Sequence, residues 1–268
     1  MLKDITIGQY FPGDTFVHRL DPRIKILITI MFITSLFFIN TFYPYILILA
    51  FIIISIKLSE IPGKYVLKGL KPLMPIIIIT FVINVLFTRG EVLFSLGPIA
   101  ITKEGLSQAV FMALRLIFLI TGTSLLTLTT SPISLTDGIE RLLSPFRKFG
   151  LPAHELAMMM TIALRFIPTL LEETDKIMKA QMARGADFES GNIINRAKNL
   201  VPLLVPLFIN AFRRADELAN AMEARCYRGG ENRTRLNELK LDNQDVLAIS
   251  IAALFFGFII STKYIAYV

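Results

Sequence analysis

Between Lys25 and Lys57 the chain runs for 31 residues without a charge, longer than the roughly 20 apolar residues one helix needs to cross about 30 Å of hydrocarbon. Asn40-Thr41-Phe42-Tyr43-Pro44 interrupts this run with turn chemistry. The pattern therefore predicts a hairpin of two short spans. Asp21-Pro22 marks the start of the first, a capping carboxylate followed by a proline at the first helical position. Further uncharged stretches at 72–88, 116–136 and 246–262 bring the expectation to about five spans. The first twenty residues mix Asp4, Asp14, His18 and Arg19 and lack an apolar run, so no cleavable signal peptide is expected.

Composition agrees with a membrane location. The 268 residues are 54% hydrophobic and 18% charged, against about 45–50% and about 25% in soluble domains. One core could not hide that apolar surplus. The net charge of +7 would suggest an acidic partner in a soluble protein, but here it first reports a side. With the amino terminus inside, 24 of the 28 lysines and arginines fall on the cytoplasmic face and only Arg89, Lys103 and Lys263 outside. The expectation is a multi-pass cell-membrane protein with a cytoplasmic amino terminus, an external carboxyl terminus and no nucleic-acid partner. Arg115 is left between two readings. A fourth span starting at Leu106 would place it deep in lipid, where charges mark sites. A span starting near Met112 lets it snorkel to the outer surface, and this second reading is preferred.

The segment 131–244 carries 16 basic and 14 acidic side chains, too many for spanning helices. It is also too apolar for disorder, because 156–171 and 200–212 are strongly hydrophobic. Those stretches are interrupted by Arg165, Pro168, Pro202 and Pro206, and a seven-span topology would bury Arg165. Helices that lie against the membrane and project from it are preferred. The fold expected is an all-α integral membrane protein with about five transmembrane helices and a cytoplasmic module of long amphipathic helices. Its parts are a transmembrane block over 1–130, the module over 131–244 and a last transmembrane helix over 245–268.

An internal repeat lies within that module. Residues 175–184 and 216–225 both read Asp-x-(Ile/Leu)-x-x-Ala-x-x-Ala-Arg. Two copies are too few for a solenoid, but they suit two similar sockets. In the helix ending in the first copy, Ile167, Leu170, Leu171, Thr174, Met178, Gln181 and Met182 follow a helical stripe imperfectly; in the helix ending in the second, Leu204, Leu207, Phe208, Ala211, Ala215, Leu218, Ala219 and Met222 follow it cleanly. The large side chains suit packing of the two helices together. The alanine tips let a backbone approach another surface, and the arginine beyond each offers a planar fork to a carboxylate or carbonyl.

Ala183-Arg184-Gly185 and Ala224-Arg225-Cys226, on paired helices between a four-span block and a last span, resemble the two Ala-Arg-Gly motifs of the transmembrane (T) components of energy-coupling factor transporters. Gly8-Gln-Tyr-Phe-Pro-Gly13, His18-Arg-Leu-Asp-Pro-Arg23, Leu164-Arg-Phe-Ile-Pro168 and Phe212-Arg-Arg-Ala-Asp-Glu217 are similar to segments of that family. The likeness covers nearly the whole chain. It implies a scaffold joining two ABC-type ATPase subunits to a separate substrate-binding S component for a vitamin or metal ion. Arg184 and Arg225 would each enter a groove of one ATPase, and the chain would need no cofactor of its own. Cys226 departs from the pattern. Gly185 can take the left-handed conformation of a helix cap, whereas a cysteine there costs roughly 1–2 kcal/mol. The second helix is therefore expected to run on to Arg228 and stop at Gly229-Gly230.

Other classes fit less well. No Gly-x-x-x-x-Gly-Lys-(Ser/Thr) loop is present to cradle phosphates, so ATP hydrolysis is expected in partner subunits. His154-Glu155 begins like a zinc-protease helix, but position 158 is methionine and no second ligand follows. An ion-coupled secondary transporter is the main alternative, with a non-transport membrane scaffold behind it. A coupled transporter would place acids or broken helices near the midplane, and only Asn84 and Arg115 offer themselves.

Overall fold

A computed structural model describes residues 10–96, 99–186, 188, 193–230 and 241–265. The chain divides into two compact units, one of 10–138 with 241–265 and the other of 139–230 among these residues. Helices dominate both. The first unit begins with the short α1 (Phe16–Arg19) and the hairpin α2 (Pro22–Phe38) and α3 (Tyr43–Ser59). Next come α4 (Gly63–Leu70) and α5 (Met74–Phe87), joined through a 3-10 turn containing Pro72. An antiparallel pair, β1 (Val92–Leu96) and β2 (Ile99–Thr102), leads into α6 (Lys103–Thr129). Helix α7 (Pro132–Leu143) follows, and α10 (Asn243–Ile265) closes the unit. The 139–230 unit is built on α8 (Ala153–Ala183) and α9 (Ile193–Ala224).

Four helical segments are long and apolar enough to cross a membrane: Gly63–Phe87, Lys103–Thr129, Ala153–Ala183 and Asn243–Thr262. Tyr43–Ser59 is a shorter apolar helix, and α2 has the same 17 residues. The expected hairpin of short spans is present, with its turn at 39–42. α8 meets the criterion by length and composition although the charge pattern argued against a span there. Its Arg165 is exposed.

α6 is the hub of the first unit, touching α2, α3, α4 and α5, while α10 packs on α2 and α3. Phe32, Leu36, Ile48, Phe256 and Ile259 are almost wholly buried where these helices meet. Rings of Phe32, Phe51, Phe255 and Phe256 stack or meet edge to face, and Tyr45 does so with Phe111 and Phe118. Gly122 permits the closest approach in this core. A Cβ there would lie 2.2 Å from the Phe32 ring.

α6 begins at Lys103 and places Arg115 near the middle of this helix, level with the end of α2. The Arg115 guanidinium donates from Nη2 to the Ile39 carbonyl at 2.8 Å and sits 4.9 Å from the Phe111 ring centre. Ile39 is the residue on which α2 ends. A cation placed against the terminal carbonyls of a helix offsets both its unpaired acceptors and its dipole, and that accounts for a charge within α6.

Helix starts are equally well provided. Asp21 accepts the Arg23 amide at 2.8 Å and pairs with the Arg23 guanidinium at 2.6 Å. Asp245 accepts the amide of Asp21 at 2.8 Å through one oxygen and that of Asp242 at 2.9 Å through the other. Lys25 donates to the carbonyls of His18 and Thr129, both at 3.0 Å. The starts of α2 and α10 and the end of α6 therefore meet in one polar knot.

Gly122→Ala should force Phe32 out of its place and lower stability by about 1–3 kcal/mol. Thermal unfolding of the purified chain in detergent checks this, with Gly257→Ala, where a Cβ meets nothing within 4 Å, as the neutral control.

Candidate functional site

The two repeat tips end their helices in the same way. α8 stops at Ala183; Arg184 is its C-cap with φ −89°, and Gly185 follows with φ +87°. The Gly185 amide donates to the Met182 carbonyl at 3.0 Å and the Ala186 amide to the Gln181 carbonyl at 2.9 Å. This is the paired 5→2 and 6→1 pattern of a Schellman cap. α9 stops at Ala224, and the Cys226 amide donates to Glu223 at 2.8 Å and the Tyr227 amide to Met222 at 3.0 Å. Position for position, the second tip repeats the first.

The expectation that α9 runs on to Arg228 is therefore overturned. Cys226 takes φ +54° and occupies the glycine position of the cap. Two further hydrogen bonds, each worth about 0.5–1.5 kcal/mol net, offset the roughly 1–2 kcal/mol of left-handed strain. The chain also has to leave the helix axis by this point. Gly230 packs on His154 so closely that a Cβ would lie 2.4 Å from the imidazole, and the turn at Cys226 and the positive φ of Gly229 bring it there.

α8 and α9 run antiparallel. Asn210 Nδ2 donates to Glu173 Oε1 at 2.6 Å, and Arg214 Nη2 lies 3.5 Å from Glu173 Oε2. Moving from 210 to 230 on one side corresponds to moving from Glu173 back to His154 on the other. By this register Arg225 lies opposite position 159, so the two arginines are separated by roughly 25 residues of helix, about 40 Å at 1.5 Å per residue. They mark opposite ends of the pair. Between them, Ile162, Phe166 and Leu170 face Ala211, Ala215 and Leu218 across a shallow apolar groove of 260 Å³.

Ala183, Arg184, Gly185, Ala224, Arg225 and Cys226 are all exposed, and Cys226 is a free thiol. Neither guanidinium makes a hydrogen bond or ion pair among the described residues. No basic residue precedes either arginine in the last helical turn. Each therefore faces the negative end of its own helix dipole, a favourable placement worth about 0.3–1 kcal/mol. That interaction leaves the planar fork open. Four residues apart on α8, Lys179 meets Asp175 at 2.6 Å.

Sequence reading passed over Glu173 and Glu140. Glu173 clasps the two long helices, and Glu140 Oε1 lies 3.0 Å from His154 Nδ1 at the root of α8. Arg214 sits inside Phe212-Arg-Arg-Ala-Asp-Glu217, and Asp21 and Arg23 inside His18-Arg-Leu-Asp-Pro-Arg23, so those segments carry structural ties. Glu173 lies in Leu171-Glu-Glu-Thr-Asp-Lys176, where neighbouring charges gave it no distinguishing signal. His18 is held by Thr15 at 2.7 Å and by the Phe11 carbonyl at 3.0 Å. Among the described residues no group of three His, Cys, Asp or Glu side chains could hold a metal ion.

Apolar helices long enough to span a membrane define a multi-pass membrane protein, and comparison with known proteins gives its family. Residues 13–236 match the family described as cobalt transport protein, CbiQ. The energy-coupling factor transporter transmembrane protein EcfT of Clostridium kluyveri is 64% identical over 256 residues, 95% of this chain and 94% of that one. EcfT of Thermosediminibacter oceani is 66% identical over 247 residues, covering 92% and 93%, and EcfT of Bacillus subtilis 50% identical over 261, covering 96% and 98%. The chain belongs to the EcfT family of energy-coupling factor transporter transmembrane proteins.

The two caps predict opposite effects of substitution. Cys226→Gly should raise stability by about 1 kcal/mol, and Gly185→Ala should lower it by a similar amount. Thermal unfolding in detergent, with helix content followed by circular dichroism, measures both.

Proposed function

We propose that this chain is the coupling subunit of an energy-coupling factor importer. Its 131–244 segment lies on the cytoplasmic side and holds two ABC-type ATPase subunits, one at Ala183-Arg184-Gly185 and one at Ala224-Arg225-Cys226. The observation that carries this reading is the identical capping of two arginines, unengaged among the described residues, at opposite ends of one antiparallel helix pair. A separation of about 40 Å suits two separate partners better than one. Each small alanine lets a groove wall close on the helix end, and each guanidinium donates a charge-assisted fork to acceptors in that groove.

When the ATPases close on ATP, the sockets draw the tips with them. The helices turn that displacement into a movement at the surface where a membrane-embedded S component binds its vitamin or metal ion. This chain supplies neither nucleotide site nor cofactor; hydrolysis takes place in the partners. The two polar side chains an ion-coupled transporter could use support coupling over ion transport. Asn84 donates to the Thr80 carbonyl on its own helix at 2.8 Å, and Arg115 is spent on Ile39. The positive-inside balance supports a cytoplasmic amino terminus and external carboxyl terminus in a bacterial cell membrane, with the exposed Arg165 favouring α8 outside the bilayer core.

Two measurements test this reading. Cys226, the single native thiol, should react with a membrane-impermeant maleimide in inside-out vesicles once the ATPases are stripped; labelling confined to right-side-out vesicles reverses the orientation. Arg184→Ala and Arg225→Ala should each weaken one ATPase contact by about 2–5 kcal/mol, roughly thirty-fold or more, and lower substrate uptake. The double variant should lose both ATPases while still inserting normally. Wild-type ATPase co-purification and uptake in the double variant would defeat the mechanism.

A further inference from the structure

Two cavities in the 10–138 and 241–265 unit adjoin through shared walls. One, of 460 Å³, is polar and lies at the knot formed by the start of α2, the end of α6 and the start of α10. The other, of 400 Å³, is apolar and runs between α2, α3, α6 and α10. Leu20, Lys25 and Thr129 line both. The sizes fall in the range of about 300–1,000 Å³ typical of ligand sites.

The apolar cavity is a slot along the helix axes. On α2 its lining runs from Lys25 to Phe32. On α3 it runs from Leu58 to Ala50, on α6 from Thr129 to Gly122 and on α10 from Leu247 to Phe255. Every strip covers eight or nine residues from a helix end toward the bundle middle, seven or eight steps and a depth of about 10–12 Å at 1.5 Å per residue. The stacked rings of Phe32, Phe51 and Phe255 close its inner end.

The polar mouth offers both signs of charge. Lys25 and Arg19 face it with Asp21, Asp242 and Asp245. Asp21 and Asp245 are committed to backbone amides and Arg23, while Asp242 accepts the Asn243 amide at 2.8 Å through Oδ1 and is exposed. Thr130 also lines the mouth. It is 4% exposed, and its hydroxyl has no hydrogen-bond partner among the described residues. A buried hydroxyl without a partner costs free energy, so this group calls for an occupant.

We propose that the joined cavities bind one phosphatidylethanolamine molecule from the leaflet on the Lys25 side. One acyl chain fills the slot between α3 and α10, the phosphate meets Lys25 and Thr130, and the headgroup ammonium faces Asp242. An anionic headgroup without an ammonium would meet the carboxylates with nothing to pair them. The lipid bridges α2, α3, α6 and α10, so it acts as a structural ligand of the membrane unit.

The test uses the full chain extracted from its own membranes with the partners it carries. Native mass spectrometry and quantitative lipid extraction should find one phosphatidylethanolamine per chain after washing in detergent. When phosphatidylethanolamine and phosphatidylglycerol are offered in equal amounts, the former should be retained preferentially. Ala50→Phe fills the slot and should abolish retention. Thr130→Val removes a hydroxyl with no partner among the described residues, so the fold persists while retention falls roughly tenfold, the worth of one hydrogen bond to a charged group. Circular dichroism and size-exclusion profiles confirm folding of both variants. A diazirine side chain at position 55, which lines the slot, should cross-link to lipid in native membranes. Full retention in Ala50→Phe, preference for phosphatidylglycerol, or cross-linking of position 55 to a polypeptide overturns the proposal.

Discussion

A helix in lipid can end only where its terminal amides and carbonyls find partners, because the hydrocarbon offers none. Much of the polar chemistry in the membrane unit answers that constraint. Asp21 and Asp245 take up amides where α2 and α10 begin. Lys25 takes the last carbonyl of α6, and Arg115 the carbonyl on which α2 closes. Thr102 caps α6 through the Gly105 amide at 3.0 Å and donates to the Thr88 carbonyl at 2.8 Å, securing the end of α5 as well. Helix order and packing follow from which ends can share a partner. The same accounting governs α8 and α9, whose last carbonyls are satisfied by their own backbone turn. The arginines are thereby released from capping through their side chains.

The sequence carried the hairpin, the start of α2 and the doubled tip, because each is a local pattern. Asp21-Pro22 needs only its neighbours to define a helix start, and a charge-free run needs only its length to define a span. The partner of Arg115 was not legible because its carbonyl lies 76 residues earlier in the chain. Nothing near Arg115 in sequence announces Ile39. Cys226 was misjudged for another reason. The cost of left-handed cysteine was weighed, while the two cap hydrogen bonds and the packing of Gly230 on His154 were not. Pro168, Pro202 and Pro206 looked like interruptions, yet α8 and α9 continue through them. A proline withdraws one amide and strains one turn; in helices of 31 and 32 residues the remaining bonds and the apolar contact between the pair outweigh that local loss.

The fold explains why a chain built mostly of apolar helices carries such distinct side chains at so few places. Where α5 shows only Ile77 buried, its exposed Ile76, Ile78, Ile79, Val82 and Ile83 match a hydrocarbon solvent and are interchangeable in kind. Charged groups are not interchangeable in this way. Each of Lys25, Arg115 and Asp245 has an assigned acceptor or donor, and removing one strands a backbone group in a low-dielectric setting.

Glu173 fastens α8 to α9 through Asn210 and Arg214 well inside both helices. Two rods pinned at an interior point can rotate about the pin but cannot slide past one another. A scissor opens or shuts its blades together, and lever length sets the trade between travel and force. The Arg184 tip stands eleven residues beyond Glu173, about 16 Å of helix, and the Arg225 tip eleven beyond Arg214, the same distance. The arms are balanced, so equal pulls at the two ends change the crossing angle without favouring either rod.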